Sequence, residues 1–267
     1  MMNGDYEKAA RIIKKAKRVA AFTGAGISVE SGIPPFRGKG GLWDKYDPDF
    51  LEIGHFKRNP KASWKLLKEV FYDGFSAATP NAAHQMIAAM EKRHLLETVI
   101  TQNIDSLHQK AGSRKVYEFH GTLRTLVCLG CSKEYSAAEV DLGFLPPECR
   151  MCGGLLKPDV VLFGEPIPEP ANSQSFFEAE IADVMLVIGS SGEVLPACMI
   201  PHIAKGHGAA IIEINVKESQ FTHQISDVFI QAPATEALTK LGEALKLNAN
   251  GSKEHSPRKT VSGGAGK

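Results

Sequence analysis

Four of the five cysteines fall in two pairs, Cys128-x-x-Cys131 and Cys149-x-x-Cys152, with 17 residues between the pairs. Thiolates bind zinc tetrahedrally, and two C-x-x-C knuckles deliver four sulfurs from two tight turns. The spacing falls within the zinc-ribbon range. Gly130 inside the first knuckle and Gly153-Gly154 after the second supply small turn residues. Four sulfurs leave no open coordination position, so the expected ion is structural. It would hold together a segment too small to bury its own core. The competing readings are a redox dithiol or a site that has lost its metal. A zinc ribbon can also bind nucleic acid, but the intervening SKEYSAAEVDLGFLPPE is acidic, which argues against that use. Cys198 stands alone and reads as a small buried hydrophobe.

A second constellation begins at residues 23–38, TGAGISVESGIPPFRG. Gly24, Ala25 and Gly26 follow a short apolar run, so backbone N–H groups there could approach a pyrophosphate. The third glycine of G-x-G-x-x-G is replaced by Val29. Pro34 and Pro35 allow about one helical turn before the chain must leave. Phe36 and Arg37 then arrive on a loop beside the phosphate site, with core packing and a surface ion pair as their plainer roles.

The run Thr98 to Thr101 ends in Gln102, Asn103, Ile104 and Asp105. In open α/β sheets ligands lie beyond the carboxyl ends of strands. Two amides and a carboxylate suit a nicotinamide carboxamide and ribose hydroxyls. Asn103 or Asp105 alone could equally be a helix cap. The run Val116 to Phe119 ends in His120, a candidate general base because an unperturbed imidazole titrates near pH 6.5.

These residues need a scaffold, and the rest of the 267-residue chain describes one. The composition, 43% hydrophobic and 23% charged with 31 basic against 30 acidic residues, is that of a globular protein. The near balance offers no field for holding nucleic acid or an anionic membrane. No apolar run reaches membrane-span length, and the polar start is unlike a secretory signal. We expect a reducing, cytoplasmic setting. Residues 5–17 have helical spacing. Val19 to Thr23, Thr98 to Thr101, Val116 to Phe119, Val160 to Phe163, Val184 to Ile188 and Ala209 to Ile214 read as strands, alternating with helical stretches such as 82–91 and 201–205. That rhythm predicts an α/β fold with a doubly wound, mostly parallel sheet of Rossmann type. Residues 38–79 and 123–155 break it and are expected to form one smaller, helical plus zinc-ribbon domain. The large domain would comprise about 1–37, 80–122 and 156–247, with a flexible tail at 248–267.

Taken in order, TGAGIS with GIPPFRG, TQNIDSLH, HGT, the paired cysteines, KPDVVLFGE from Lys157 and GSSGEVLP from Gly189 resemble the sirtuin family of NAD-dependent protein deacylases. The resemblance covers roughly residues 5–245. It implies a loop from Ala25 to Arg37 that rearranges as NAD enters and nicotinamide leaves. It implies pyrophosphate contacts at Gly24, Ala25 and Gly26, a shield over the ribose at Phe36, and phosphate or ribose contacts at Arg37. Gln102 would hold ribose hydroxyls. Asn103, Ile104 and Asp105 would form the nicotinamide pocket, with Asn103 also catalytic. Ser190 and Asn215 would face the adenosine half, and Gly189 and Ser191 would also bind the cofactor. Val160, Phe163, Gly164 and Glu165 on one side, and Gly192, Glu193 and Val194 on the other, would pair with an acyl-lysine protein substrate as an added strand. The implied reaction has the acyl oxygen attack the nicotinamide ribose carbon, with His120 as base on a ribose hydroxyl. It yields lysine, nicotinamide and an O-acyl-ADP-ribose.

Two positions depart from the commonest family forms. Glu193 stands where a hydrophobic or small residue is more usual, which raises the expectation of a preference for basic residues beside the lysine. The Tyr-x-x-Arg pair of succinyl-removing members is missing: Tyr72 is followed by Phe75, and no arginine lies between Arg58 and Arg93. Neutral acyl groups, acetyl first, are therefore expected. A preference for longer neutral acyl groups is one alternative and protein mono-ADP-ribosyl transfer from the same NAD site another, with a non-catalytic NAD-sensing scaffold the alternative class.

Overall fold

The computed structural model describes residues 2–38 and 40–247, so the expected tail lies outside the described residues. Helix α1 (Met2–Lys15) leads into β1 (Val19–Thr23), and a 3₁₀ helix over Ala25–Ser31 follows. The first insertion contains α2 (Ile53–Arg58), α3 (Pro60–Leu67) and a π-helical turn at Lys68–Asp73. Then come α4 (Ala82–Lys92), β2 (Thr98–Thr101), α5 (Leu107–Ala111) and β3 (Val116–Glu118). The cysteine-bearing stretch and its flanks carry β4 (Gly121–Cys128), β5 (Glu134–Ser136) and β6 (Leu156–Val160). The chain closes with α6 (Ala171–Ile181), β7 (Val184–Ile188), α7 (Met199–Gly206), β8 (Ala210–Asn215), β9 (Val228–Gln231) and α8 (Ala234–Leu245).

Six strands form one sheet in the order β3-β2-β1-β7-β8-β9, with every pairing parallel. Alternate β1 residues serve opposite faces. Val19 and Ala21 join the cluster under α1, α4 and α8, whereas Ala20 and Phe22 join the cluster under α6 and α7. Burial on both faces is why these strands read as solid apolar runs. Among the described residues no helix is long and apolar enough to cross a membrane.

One expected strand differs. Val160 to Phe163 is not part of the parallel sheet. The strand is β6, at Leu156–Val160, and it pairs antiparallel with β4 in a separate sheet of order β5-β4-β6. Its apolar residues Val160 and Leu162 bury against the helical insertion, so the run carries a strand's composition without a βαβ connection. Both insertions contribute to that one cluster. Phe56, Trp64 and Phe71 from the first pack with Leu126 from the second and with Leu156 just beyond it, and the Trp64 indole N–H donates to the Leu156 carbonyl at 2.8 Å.

Candidate active site

Strands β2 and β3 lie on one side of β1, and β7, β8 and β9 lie on the other. The order reverses between β1 and β7, and a crevice opens at their carboxyl ends, as open α/β sheets require. There the two glycine turns meet. The Gly24 N–H donates to the Ile188 carbonyl at 3.0 Å and the Gly26 N–H to the Gly189 carbonyl at 2.9 Å. A Cβ on Gly26 would lie 2.5 Å from the Gly189 Cα, so no larger residue fits. The paired glycines are therefore needed for strand-end packing as well as for ligand access. Val29, in place of a third glycine, is 42% exposed and lines the crevice instead of packing a helix on the sheet.

The crevice is a cleft of about 880 Å³. Every residue expected to contact cofactor or substrate lines it except Asp105 and Gly192. Gln102 crosses the end of β1, donating from Nε2 to Ser190 Oγ at 2.9 Å, and Asn215 Nδ2 donates to the Ser190 carbonyl at 3.0 Å. Four strand ends are thus cross-linked around one opening. Several lining residues have no site role in the sequence reading: Trp43, Leu51, Val161, Lys217 and the segment Ala232–Ala234. The last follows β9, and the rule that strand ends face ligands applies to it equally once Val228–Gln231 is read as a strand.

His120 occupies the junction of the two sheets, between β3 and β4. The chain must pass very close to β6 there: a Cβ on Gly121, whose φ is 77°, would lie 2.0 Å from the Asp159 carbonyl oxygen. The His120 Nδ1 lies 3.0 Å from the Gln102 carbonyl oxygen. A carbonyl only accepts, so Nδ1 carries the proton and Nε2 keeps its lone pair. Burial pushes the imidazole below its ordinary value, partly offset by the bond to Gln102. The ring is therefore a neutral base at neutral pH.

Asn103 is buried, donating from Nδ2 to the Gly24 carbonyl at 3.1 Å and to Ser28 Oγ at 3.2 Å. Ser28 in turn donates to Asp105 Oδ2 at 2.7 Å, and Asp105 Oδ1 accepts the Leu107 N–H at 2.9 Å, so the carboxylate also satisfies the first N–H of α5. Burial raises the Asp105 carboxyl, and these bonds oppose the rise. Behind this layer His108 Nε2 lies 3.0 Å from Thr23 Oγ1. Thr23 donates to Thr101 Oγ1 at 2.9 Å, which accepts the Asn103 N–H at 3.0 Å. His84 packs edge-on against His108, with ring centroids 4.9 Å apart. Sequence reading missed this layer, because a histidine inside a helical stretch carries no local sign of what it touches.

At the mouth of the cleft Arg37 Nε and Glu193 Oε2 are 3.3 Å apart. Glu193 therefore has a partner within the chain, which tempers the expectation that it selects basic peptides. On the other wall the Val160 carbonyl is taken by Lys157 Nζ, and the Val161 N–H donates to the His120 carbonyl at 2.9 Å.

Away from the cleft, Cys128, Cys131, Cys149 and Cys152 bring their sulfurs within 4.8 Å of one another. Cys128 and Cys152 sulfurs are 3.4 Å apart, and Cys131 and Cys149 sulfurs 3.7 Å. A zinc tetrathiolate with bonds of about 2.3 Å has sulfur–sulfur edges of about 3.8 Å. The four residues fit such an ion. The glycine-edged cleft, within the volume range of ligand pockets, likewise fits a dinucleotide.

A doubly wound sheet with a cleft at its switch point, a neutral histidine lining that cleft and four clustered thiols is an arrangement that fits a dinucleotide-using enzyme with a zinc site. The Sir2 family model matches residues 24–196, and the chain belongs to that family. It is 46% identical over 241 residues to NAD-dependent protein deacylase 2 of Pyrobaculum aerophilum, covering 89% of this chain and 94% of that protein. A solved Sir2 homologue variant in complex with ADP-ribose aligns with a TM-score of 0.85 at 40% identity, covering 90% of this chain and 96% of the other. Sir2 bound to an acetylated peptide aligns with a TM-score of 0.82 at 33% identity, covering 89% and 97%.

Proposed function

We propose that this chain is an NAD-dependent protein-lysine deacetylase, an acyl transferase to ADP-ribose that releases nicotinamide. The observation that carries the reading is the meeting of His120, its Nδ1 proton fixed on Gln102, with the switch-point glycines in one cleft. Bound NAD supplies an electrophilic ribose carbon and a leaving nicotinamide. The protein's residues do the rest. Gly24 to Gly26 and Ser190 hold the dinucleotide. Asn103, Ile104 and Asp105 cradle the nicotinamide end, with Asn103 anchored by Gly24 and Ser28. Phe36, packed on Trp43 with ring centroids 5.4 Å apart, covers the ribose and excludes water. His120 Nε2 takes the hydroxyl proton. The acyl-peptide lies as a strand between Val160–Glu165 and Gly192–Val194. In this reading residues 38–79 and 123–155 form the smaller module that closes over the substrate, and a cytoplasmic, reducing setting keeps the four thiols available for zinc.

Acetyl stands first because no arginine accompanies Tyr72, whose hydroxyl donates to the Leu123 carbonyl at 3.2 Å. A second reading, longer neutral acyl groups, is favoured by one observation. Ile104 lines both the main cleft and a second cavity of about 310 Å³, walled by Phe71, Tyr72, Phe75 and Leu123 on one side and by Asp105, Ser106 and Lys110 on another. The test is mass spectrometry of reactions with NAD and acetyl-, octanoyl- or succinyl-lysine peptide. Loss of acetyl with matched nicotinamide and O-acetyl-ADP-ribose is expected. Transfer of ADP-ribose to protein, with all peptides intact, would overturn the reading.

A further inference from the structure

We propose that Lys157 is a positioning residue for the acyl-peptide: from beneath the substrate wall it holds the peptide group that joins that wall to the catalytic histidine. The proposal rests on the deacetylase reading above. Lys157 is only 6% exposed, and lysine is rarely buried unless paired. Its ammonium has three N–H donors and three oxygen partners. They are the Pro158 carbonyl at 2.8 Å, the Val160 carbonyl at 2.6 Å and Glu165 Oε2 at 3.0 Å. Val160 and Glu165 belong to the segment that forms one wall of the cleft, Pro158 lies just before it, and every donor is used within the chain.

The arrangement matters because of what lies across the bond. The Val160 carbonyl is one end of the Val160–Val161 peptide group, and the Val161 N–H at its other end donates to the His120 carbonyl at 2.9 Å. A trans peptide group is a rigid plate whose C=O and N–H point in opposite directions. Lys157 and the His120 backbone thus grip the same plate from opposite sides. The second hold acts on the turn that follows. Glu165 Oε2, already paired with Lys157, accepts the Leu162 N–H at 2.9 Å. Between these holds, Phe163 bonds the helical insertion through Leu51 and Ile53, at 2.7 and 3.0 Å. One ammonium therefore sets both the register of the wall that an added strand would read and its distance from the base. A lysine serving stability alone would leave ligand preference untouched.

The test compares parent, Lys157→Met, Lys157→Arg and Glu165→Gln. It uses anisotropy of a fluorescent acetyl-lysine peptide, calorimetry with ADP-ribose, and steady-state kinetics. We expect Lys157→Met to weaken peptide binding tenfold or more and to raise the peptide KM in parallel, with a smaller fall in kcat. ADP-ribose affinity should stay within twofold. Lys157→Arg keeps a charge for Glu165 but not the three-point geometry, so it should recover only part of the affinity. Glu165→Gln should give a smaller loss, about threefold, in the same ligand only. Should Lys157→Met fail to fold, the other two variants decide. Peptide affinity within twofold of the parent in the folded variants, or equal losses for peptide and ADP-ribose, would overturn the proposal. Failure of the parent itself to deacetylate the peptide would instead strike the deacetylase reading.

Discussion

Arg37 Nε lies 3.3 Å from Glu193 Oε2, so the loop leaving the glycine turn is tied to the opposite lip of the cleft. The two side chains are 46% and 44% exposed, which limits such a pair to about 0.2–1 kcal/mol. If Arg37 serves a phosphate, the cofactor must compete with Glu193 for it. Glu193→Gln is expected to lower the KM for NAD about two- to fivefold at low salt. The difference should fade near about 0.5 M salt, where exposed charges are screened. Equal KM values for parent and variant at low salt would show that the pair does not oppose binding.

His120 carries the sharpest kinetic expectation. Replacement by alanine removes the base and leaves the glycine edge intact, so deacetylation should fall by about 10²–10⁴. ADP-ribose affinity measured by calorimetry should change no more than a few-fold. Because burial lowers the imidazole pKa, the neutral, active form persists below its usual titration range. The acid limb of kcat/KM should have its midpoint below pH 6.5. A limb at or above that value would mean that another group limits the reaction.

These two relationships were unequally visible in the sequence. His120 and Gln102 each stand directly after an apolar run, and the rule that ligands gather at strand ends finds both. Their mutual bond follows from β2 and β3 being neighbours in the sheet, with Thr101 opposite Glu118. The Arg37–Glu193 pair joins residues 156 positions apart, and no local pattern announces it. Val160 to Phe163 misled because apolar composition does not tell a sheet strand from a segment buried against an insertion. Lys157 looked like one more polar residue in a motif, and only the fold shows it beneath the cleft wall.

The buried pair His84 and His108 makes a prediction about stability. Burial lowers His84 to about 4 and, together with the neighbouring His84, His108 to about 3. Unfolded, both would titrate near 6.5. Between those values the unfolded chain binds more protons than the folded one, so stability rises with pH across that window. It should be full above about pH 7 and fall progressively as the pH drops through 6 toward 4, by a few kcal/mol in total. His108→Gln should flatten this dependence in thermal melts taken from pH 7.5 to 4.5. An unchanged slope would place the acid sensitivity elsewhere.

Metal removal should reach the active site along one strand. β4 starts at Gly121, next to His120, and ends at Cys128, a member of the thiolate cluster. Its far end is clamped to β6 by the pairing of Cys128 with Leu156, which in turn accepts the Trp64 indole N–H. Cys128 and Cys149 are themselves part of the apolar cluster shared by both insertions. Releasing zinc therefore loosens the ribbon, the helical insertion and the strand that sets His120, while the parallel sheet keeps its own two cores. Chelation at neutral pH should release one zinc per chain and lower the melting temperature by about 5 °C or more. Acetyl-peptide binding should be lost before ADP-ribose binding. Cys131→Ser should reproduce the pattern without chelator. A chain that binds no zinc, or one whose peptide and ADP-ribose affinities survive chelation equally, would show that the thiolates do not support the substrate side of the cleft.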